Sequence, residues 1–194
     1  MKLILSSCDF GNPESASIIY ANLGKPAKDC RILFFPNEKA DSGKIRSGKY
    51  HSRIAAFGFR IQNIHVADYF SPASALPTDI DAVYISGGNT FGTMKRIRDA
   101  GFDAAIRNYV QNGAVYIGGS AGAHIASAEI SHVAAYDRDT FGLTDFSGLG
   151  LYHGIFICHY SAQREADLRL LTAVGTYPVT ALTDADSLVI SDNS

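Results

Sequence analysis

The sequence predicts an α/β fold, a three-layer α/β/α sandwich with helices on both faces of a mainly parallel sheet. Two observations carry this. Eight short apolar runs, at residues 3–5, 31–35, 63–66, 82–85, 114–117, 154–158, 179–182 and 188–190, have strand length. Between them, residues 15–23, 45–57, 90–100, 102–111 and 164–174 carry apolar side chains at three- and four-residue spacing, the mark of helices. Alternating strands and helices imply a parallel sheet. With 46% hydrophobic and 19% charged residues, the composition is that of a globular enzyme and excludes a disordered or fibrous chain.

The first run, Met1-Lys2-Leu3-Ile4-Leu5, turns polar at Ser6. It is too short for a signal peptide, and no later run approaches the length of a membrane span. A cytoplasmic location without a membrane partner is expected. After the second run, the polar stretch 36–49 reads as a surface loop, either a connector or an active-site lid. The helix 102–111 meets a strong stop at Asn112-Gly113. No repeat or linker divides the chain, so residues 1–194 are expected to form one domain.

Seventeen basic and nineteen acidic residues leave a net charge of -2, which gives no reason to expect nucleic acid as a partner. The cysteines, Cys8, Cys30 and Cys158, are odd in number and lack CxxC spacing, so they read as buried free thiols. Glu129 and His132 have Glu-x-x-His spacing, but in a single copy that closes no ligand set. Neither a metal nor a cofactor is expected.

The strongest chemical signal is Gly118-Gly119-Ser120-Ala121-Gly122, between the run 114–117 and the helix-compatible stretch 121–128. This is a G-x-S-x-G nucleophile elbow in its strand-turn-helix setting, with Ser120 as nucleophile. Small neighbours are needed because a bulky Cβ would clash where the backbone takes sparsely populated angles. A second turn, Ser86-Gly87-Gly88-Asn89-Thr90-Phe91, again follows a strand and opens a helix. Acyl transfer needs two N–H donors at the developing oxyanion, and the amides of Gly88 and Ala121 are the candidates.

A serine nucleophile needs a base. His159 stands directly after the run 154–158, at the carboxyl end of a strand, where open parallel sheets bind ligands. His124 lies one helical turn beyond Ser120 and runs down the helix. The orienting acid is Asp184, between the last two runs, with Asp186 and Asp137 as rivals.

On its two glycine motifs the chain resembles the aspartyl dipeptidase (dipeptidase E) family of serine peptidases. Cyanophycinases are more distantly similar, and the fold is similar to that of class I glutamine amidotransferases, of flavodoxin-like type. The resemblance implies a Ser-His-acid triad with His159, in Cys158-His159-Tyr160, as base. Leu182-Thr183-Asp184 falls where the family's third member, usually glutamate, stands; here it is aspartate. Arg164-Glu165 resembles a Thr-Arg-Glu stretch with Gln163 in place of threonine, which makes Arg164 a candidate for pairing with a substrate carboxylate. Asn89 is the other substrate-binding candidate.

The implied substrate is a small peptide, a dipeptide with amino-terminal aspartate. Rivals are an esterase or amidase on a small acyl compound, and a non-catalytic binding protein of the same fold. An amidotransferase role would want cysteine where Ser120 stands. Family members generally continue past residue 194, so the chain is either a short member or truncated at its carboxyl end. A homodimer is expected from the habit of soluble enzymes.

Overall fold

The computed structural model describes residues 1–191. Its strands are β1 (Lys2–Ser6), β2 (Ile32–Phe35), β3 (Ile64–Val66), β4 (Ala82–Ile85), β5 (Val115–Gly119), β6 (Ile155–Ile157), β7 (Val179–Ala181) and β8 (Ser187–Ser191). Six of them form one sheet in the order β3-β2-β4-β5-β1-β8. The first five pair in parallel, and β8 runs antiparallel along β1. Every residue of β2, β4 and β5 is buried, as the continuous apolar runs require of strands covered on both faces.

The helices are α1 (Pro13–Asn22), α2 (Ser42–Arg46), α3 (Lys49–Ala55), α4 (Thr90–Asp99), α5 (Phe102–Gln111), α6 (Ala121–Ala126) and α7 (Glu165–Val174). One core packs Phe91, Met94, Ile106, Val110 and Ile125 of α4, α5 and α6 on Leu3, Leu5, Val83 and Tyr116. The other packs Ile19, Ile45, Tyr50 and Ile54 of α1, α2 and α3 on Ile4, Phe34, Tyr84 and Ile117. Alternate strand residues feed opposite cores, which is the three-layer arrangement the sequence predicts. No helix among the described residues is long and apolar enough to cross a membrane.

The structure departs from the sequence reading in two places. Residues 155–157 and 179–181 pair with each other as a separate two-stranded parallel sheet and do not join the main one. An apolar run specifies a strand but not its partner, because periodicity carries no information on which strand lies beside it. The helix expected over 45–57 is two helices, interrupted at Gly48, whose φ of +74° is a left-handed conformation that helical spacing does not register. The expected loop therefore contains α2.

The glycines of the elbow are set by contact. A Cβ at Gly118 would lie 2.7 Å from the Gly122 carbonyl oxygen, one at Gly122 would overlap the Ile85 carbonyl, and one at Gly119 would overlap the Asp9 carboxylate. Gly122→Ala must push the backbone of α6 off β4, and we expect it to cost about 3 kcal/mol or more. Gly11→Ala, where a Cβ meets nothing within 4 Å, should stay within about 1 kcal/mol of the parent. Denaturant unfolding of the two variants checks the contrast.

Candidate active site

Ser120 sits between the last glycine of β5 and the first turn of α6 with φ +48° and ψ -105°. For a residue with a Cβ such angles cost on the order of 1–3 kcal/mol and persist only where the surroundings dictate them. Here the Ser120 amide donates to the Ser6 carbonyl at 2.8 Å, while its own carbonyl accepts from the amides of Ala123 and His124 at 2.9 and 3.1 Å. The turn is thus held from the strand side and the helix side.

His159 comes two residues after β6, and Asp184 three after β7. Because these strands are parallel, with Ile157 paired to Ala181, both residues emerge at the same edge. Asp184 Oδ1 is 2.6 Å from His159 Nδ1, and His159 Nε2 is 3.0 Å from Ser120 Oγ. A ring nitrogen facing a carboxylate carries the proton, so Nε2 is the acceptor and the Ser120 hydroxyl donates to it. The bond from His159 holds the Asp184 carboxyl below the usual carboxylate range, keeping it ionised.

The link between the two halves of the site is Ser7, which the sequence reading passed over. Buried at 2% exposure, its hydroxyl donates to the Leu182 carbonyl and accepts from the His159 amide, each at 2.9 Å. The Tyr160 amide donates to the same Leu182 carbonyl at 2.8 Å. The end of β1 therefore pins the segments that carry His159 and Asp184. Its only signal in the sequence is a pair of serines after the first apolar run, which looks like any polar strand end.

The rival acids are engaged elsewhere. Asp186 accepts from the Thr183 amide at 2.8 Å and the Thr183 hydroxyl at 2.7 Å, closing the turn that presents Asp184. Asp137 accepts from the Thr90 amide at 2.8 Å, at the start of α4.

The second glycine turn adjoins the nucleophile: a Cβ built at Gly87 would lie 3.5 Å from that of Ser120. Gly88 has φ +155°, and a Cβ there would lie 2.6 Å from both Asn37 Cβ and Glu38 Oε2. Those two residues brace the turn. Asn37 Nδ2 donates to the Gly87 carbonyl at 3.2 Å, and buried Glu38 accepts from the Asn89 amide at 2.9 Å. Part of the expected surface loop is thus a buttress for this turn.

Asn89, expected at the substrate, has both ends of its side chain bonded within the fold. Its oxygen caps α4 through the Gly92 amide, and its Nδ2 donates to the Arg138 carbonyl, each at 2.9 Å. Arg164 precedes α7, stacks 4.0 Å above the Tyr136 ring and donates to the Cys158 carbonyl. Ala121 begins α6, so its N–H belongs to the first turn, whose donors lack helical partners.

Beneath the site, His124 is buried with its Nδ1 3.3 Å from the Thr90 hydroxyl, and its Nε2 has no hydrogen-bond partner among the described residues. Burial pushes its pKa down to about 3. Glu129 caps the Ser131 amide and His132 contacts the Phe156 carbonyl, so neither is turned to a shared ligand. The three thiols are free; Cys30 and Cys158 are buried, and Cys8 is only partly so. Burial pushes the Cys8 thiol up to about 11, with Asp184 adding to the effect. Donor atoms of Cys8, His159 and Asp184 all lie within 4.8 Å of one another, a three-donor cluster the sequence reading missed because 151 and 25 positions separate its members.

A serine thrust from a strand-to-helix turn and bonded to a histidine that is bonded to a carboxylate is the arrangement shared by serine hydrolases on several unrelated folds. The chain belongs to peptidase family S51, whose family model matches residues 3–194. It is 38% identical over 100 residues to peptidase E of Citrobacter koseri, a match covering 51% of this chain and 41% of that one. It is 35% identical over 138 residues to the uncharacterized peptidase PM1590 of Pasteurella multocida, covering 67% and 65%. The matches to the Citrobacter protein and to the uncharacterized Listeria peptidase Lmo0363 span about two fifths of those relatives. Among solved structures, a candidate peptidase E from Listeria monocytogenes EGD-e superposes with TM-score 0.75 at 20% identity, over 100% of this chain and 95% of that one. A peptidase from an acI-B1 Actinobacterium gives TM-score 0.65 at 15% identity, over 97% and 82%. At these identities the structural matches speak for the fold.

Two expectations follow from the site's construction. Ser7→Ala leaves the His159 amide and one Leu182 contact without their buried partner, so it should cost about 1–3 kcal/mol in denaturant unfolding. The loss in any turnover should exceed that of a surface Ser→Ala control. Acid sensitivity is the second. Between the ordinary histidine value of 6.5 and about 3, the unfolded chain takes up a proton at residue 124 that the folded chain refuses. Stability therefore falls as pH falls through that window, by up to about 1.4 kcal/mol per pH unit from this group. Unfolding free energies of the parent and His124→Gln should have different slopes between pH 6 and pH 4 and parallel ones above pH 7.

Proposed function

We propose that the chain is a serine peptidase acting on short peptides through an acyl-enzyme. The observation that carries this reading is the continuous row from Asp184 Oδ1 through His159 to Ser120 Oγ, with bonds of 2.6 and 3.0 Å. In the proposed reaction His159 Nε2 takes the hydroxyl proton as Ser120 Oγ attacks the scissile carbonyl. Asp184 fixes the tautomer and stabilises the imidazolium that forms. The Gly88 and Ala121 amides receive the oxyanion. His159 then passes its proton to the departing amine, and water, deprotonated by the same nitrogen, releases the acyl group.

For the substrate we infer a dipeptide, with amino-terminal aspartate preferred. The similarity to proteins named peptidase E supports a peptidase, and the resemblance to aspartyl dipeptidases supports the aspartyl preference. Arg164 is the proposed carboxylate partner: a guanidinium has five donors, and stacking on Tyr136 fixes its plane. Asn89 acts by holding the turn. A second reading, a hydrolase of small esters or amides, is favoured by the openness of the triad, since the side chains of His159 and Asp184 are 41% and 66% exposed.

A panel of aspartyl dipeptides, non-aspartyl dipeptides and small esters separates the two readings by relative kcat/KM. Ser120→Ala should fold normally and lose on the order of 10⁶ in rate. Asp184→Asn should be far more damaging than Asp186→Asn or Asp137→Asn. A fluorophosphonate should add to Ser120 and to no other serine; its failure to label folded protein would point to a binding protein without catalysis.

A further inference from the structure

We propose that the acid end of the triad doubles as a binding site for a thiophilic divalent cation of the zinc class, which switches the site off. The ligands are Cys8 Sγ, His159 Nδ1 and one Asp184 carboxylate oxygen. Donor atoms of the three residues lie within 4.8 Å of one another, on the segments that follow β1, β6 and β7, and Nδ1 is the ring nitrogen that faces Asp184. Tetrahedral zinc at ordinary bond lengths needs sulfur, nitrogen and oxygen donors about 3.3–3.6 Å apart, so the Asp184–His159 pair, now 2.6 Å apart, opens to admit the ion.

The exposure of Asp184 and the partial exposure of Cys8 allow that adjustment and leave room for water as fourth ligand. One sulfur, one imidazole and one carboxylate favour Zn²⁺ or Cd²⁺ over Mg²⁺ or Ca²⁺, which take oxygen donors.

The consequence for the base follows from the two ring nitrogens. With Nδ1 facing Asp184, the ring proton is on Nδ1 and Nε2 is free to accept from Ser120. A cation takes the Nδ1 lone pair, so that proton must move to Nε2, which then faces Ser120 as a donor and can accept nothing. Cys8 gives its thiol proton to solvent. Thiolate and carboxylate together balance the cation's two charges, and one proton is released for each ion bound. No electrons are exchanged.

The proposal rests on the triad assignment only for its effect on turnover, so the test reads binding first. Isothermal titration with ZnCl₂ should give one site per chain that MgCl₂ does not compete for. CdCl₂ should raise an ultraviolet thiolate-to-cadmium charge-transfer band. Cys8→Ala should abolish the band and weaken Zn²⁺ by about 100-fold or more, since loss of a second-shell partner alone costs 10–100-fold. Asp184→Asn should weaken Zn²⁺ binding while keeping the band.

Nitrogen NMR of His159 should report a proton moved from Nδ1 to Nε2, a signature that requires no variant to fold. If the enzyme turns over, Zn²⁺ should inhibit it reversibly to chelator in the parent and not in Cys8→Ala. Absence of Zn²⁺ binding to the parent, or equal affinity in the parent and Cys8→Ala, overturns the proposal. Binding with the expected signature in a protein that hydrolyses nothing would leave the cation site standing and remove the peptidase reading.

Discussion

The structure depends on how closely α6 is pressed onto the ends of β4 and β5. Gly122 lies against the Ile85 carbonyl and Gly118 against the Gly122 carbonyl, so the chain must reverse from strand to helix within very few residues. Ser120 takes up the whole of that reversal, which is why its φ is positive. The Tyr116 hydroxyl, donating to the Gly122 carbonyl at 2.7 Å from within the core, fixes the other side of the bend. The Ser120 hydroxyl is therefore presented by backbone packing, and no freedom of its own loop is needed to aim it.

The same logic recurs around the site. The non-glycine residues with positive φ among those described are Asp9, Ser120 and His159, and all three follow strands that end at this edge. Each stores on the order of 1–3 kcal/mol that the two cores must offset. Such strain holds only where neighbours over-determine it. For His159 those neighbours are Ser7 on its amide, Asp184 on Nδ1 and the Arg164 guanidinium on the preceding carbonyl. A segment 39 residues beyond Ser120 thereby reaches hydrogen-bonding distance of it.

Much of this was legible in the sequence, for identifiable reasons. Apolar runs fix strands because a doubly covered strand has no polar face to show, and the helix stop at Asn112 and Gly113 is local turn chemistry. The elbow was legible because the three glycines around Ser120 form a local pattern between a strand run and a helix, although the contacts that impose Gly119 and Gly122 come from distant Asp9 and Ile85. Pairing was not: the apolar runs that become β6 and β7 carry no mark of whether they join the main sheet or each other. The break at Gly48 was hidden because helical spacing continues across it. Ser7, Glu38 and Cys8 were missed because their partners lie 175, 51 and 176 positions away, and a single serine, glutamate or cysteine carries no mark of a distant contact.

Aspartate stands at 184, where the resemblance led one to expect glutamate, and its shorter side chain still meets the His159 ring. Losing a methylene retracts a carboxylate by more than a hydrogen bond tolerates, so the backbone must make up the difference. It is equipped to do so. The Leu182 carbonyl is drawn toward β1 by Ser7 and toward the base by the Tyr160 amide, while the Leu182 amide donates to Ile157 at 2.9 Å. Thr183 is then closed into a turn by both of its bonds to Asp186. Residue 184 is consequently held close to the imidazole by bonds on both sides of it, and its carboxylate lies at 2.6 Å. Asp186 thereby closes the turn that presents Asp184, and of these two neighbouring aspartates it is Asp184 that faces the histidine.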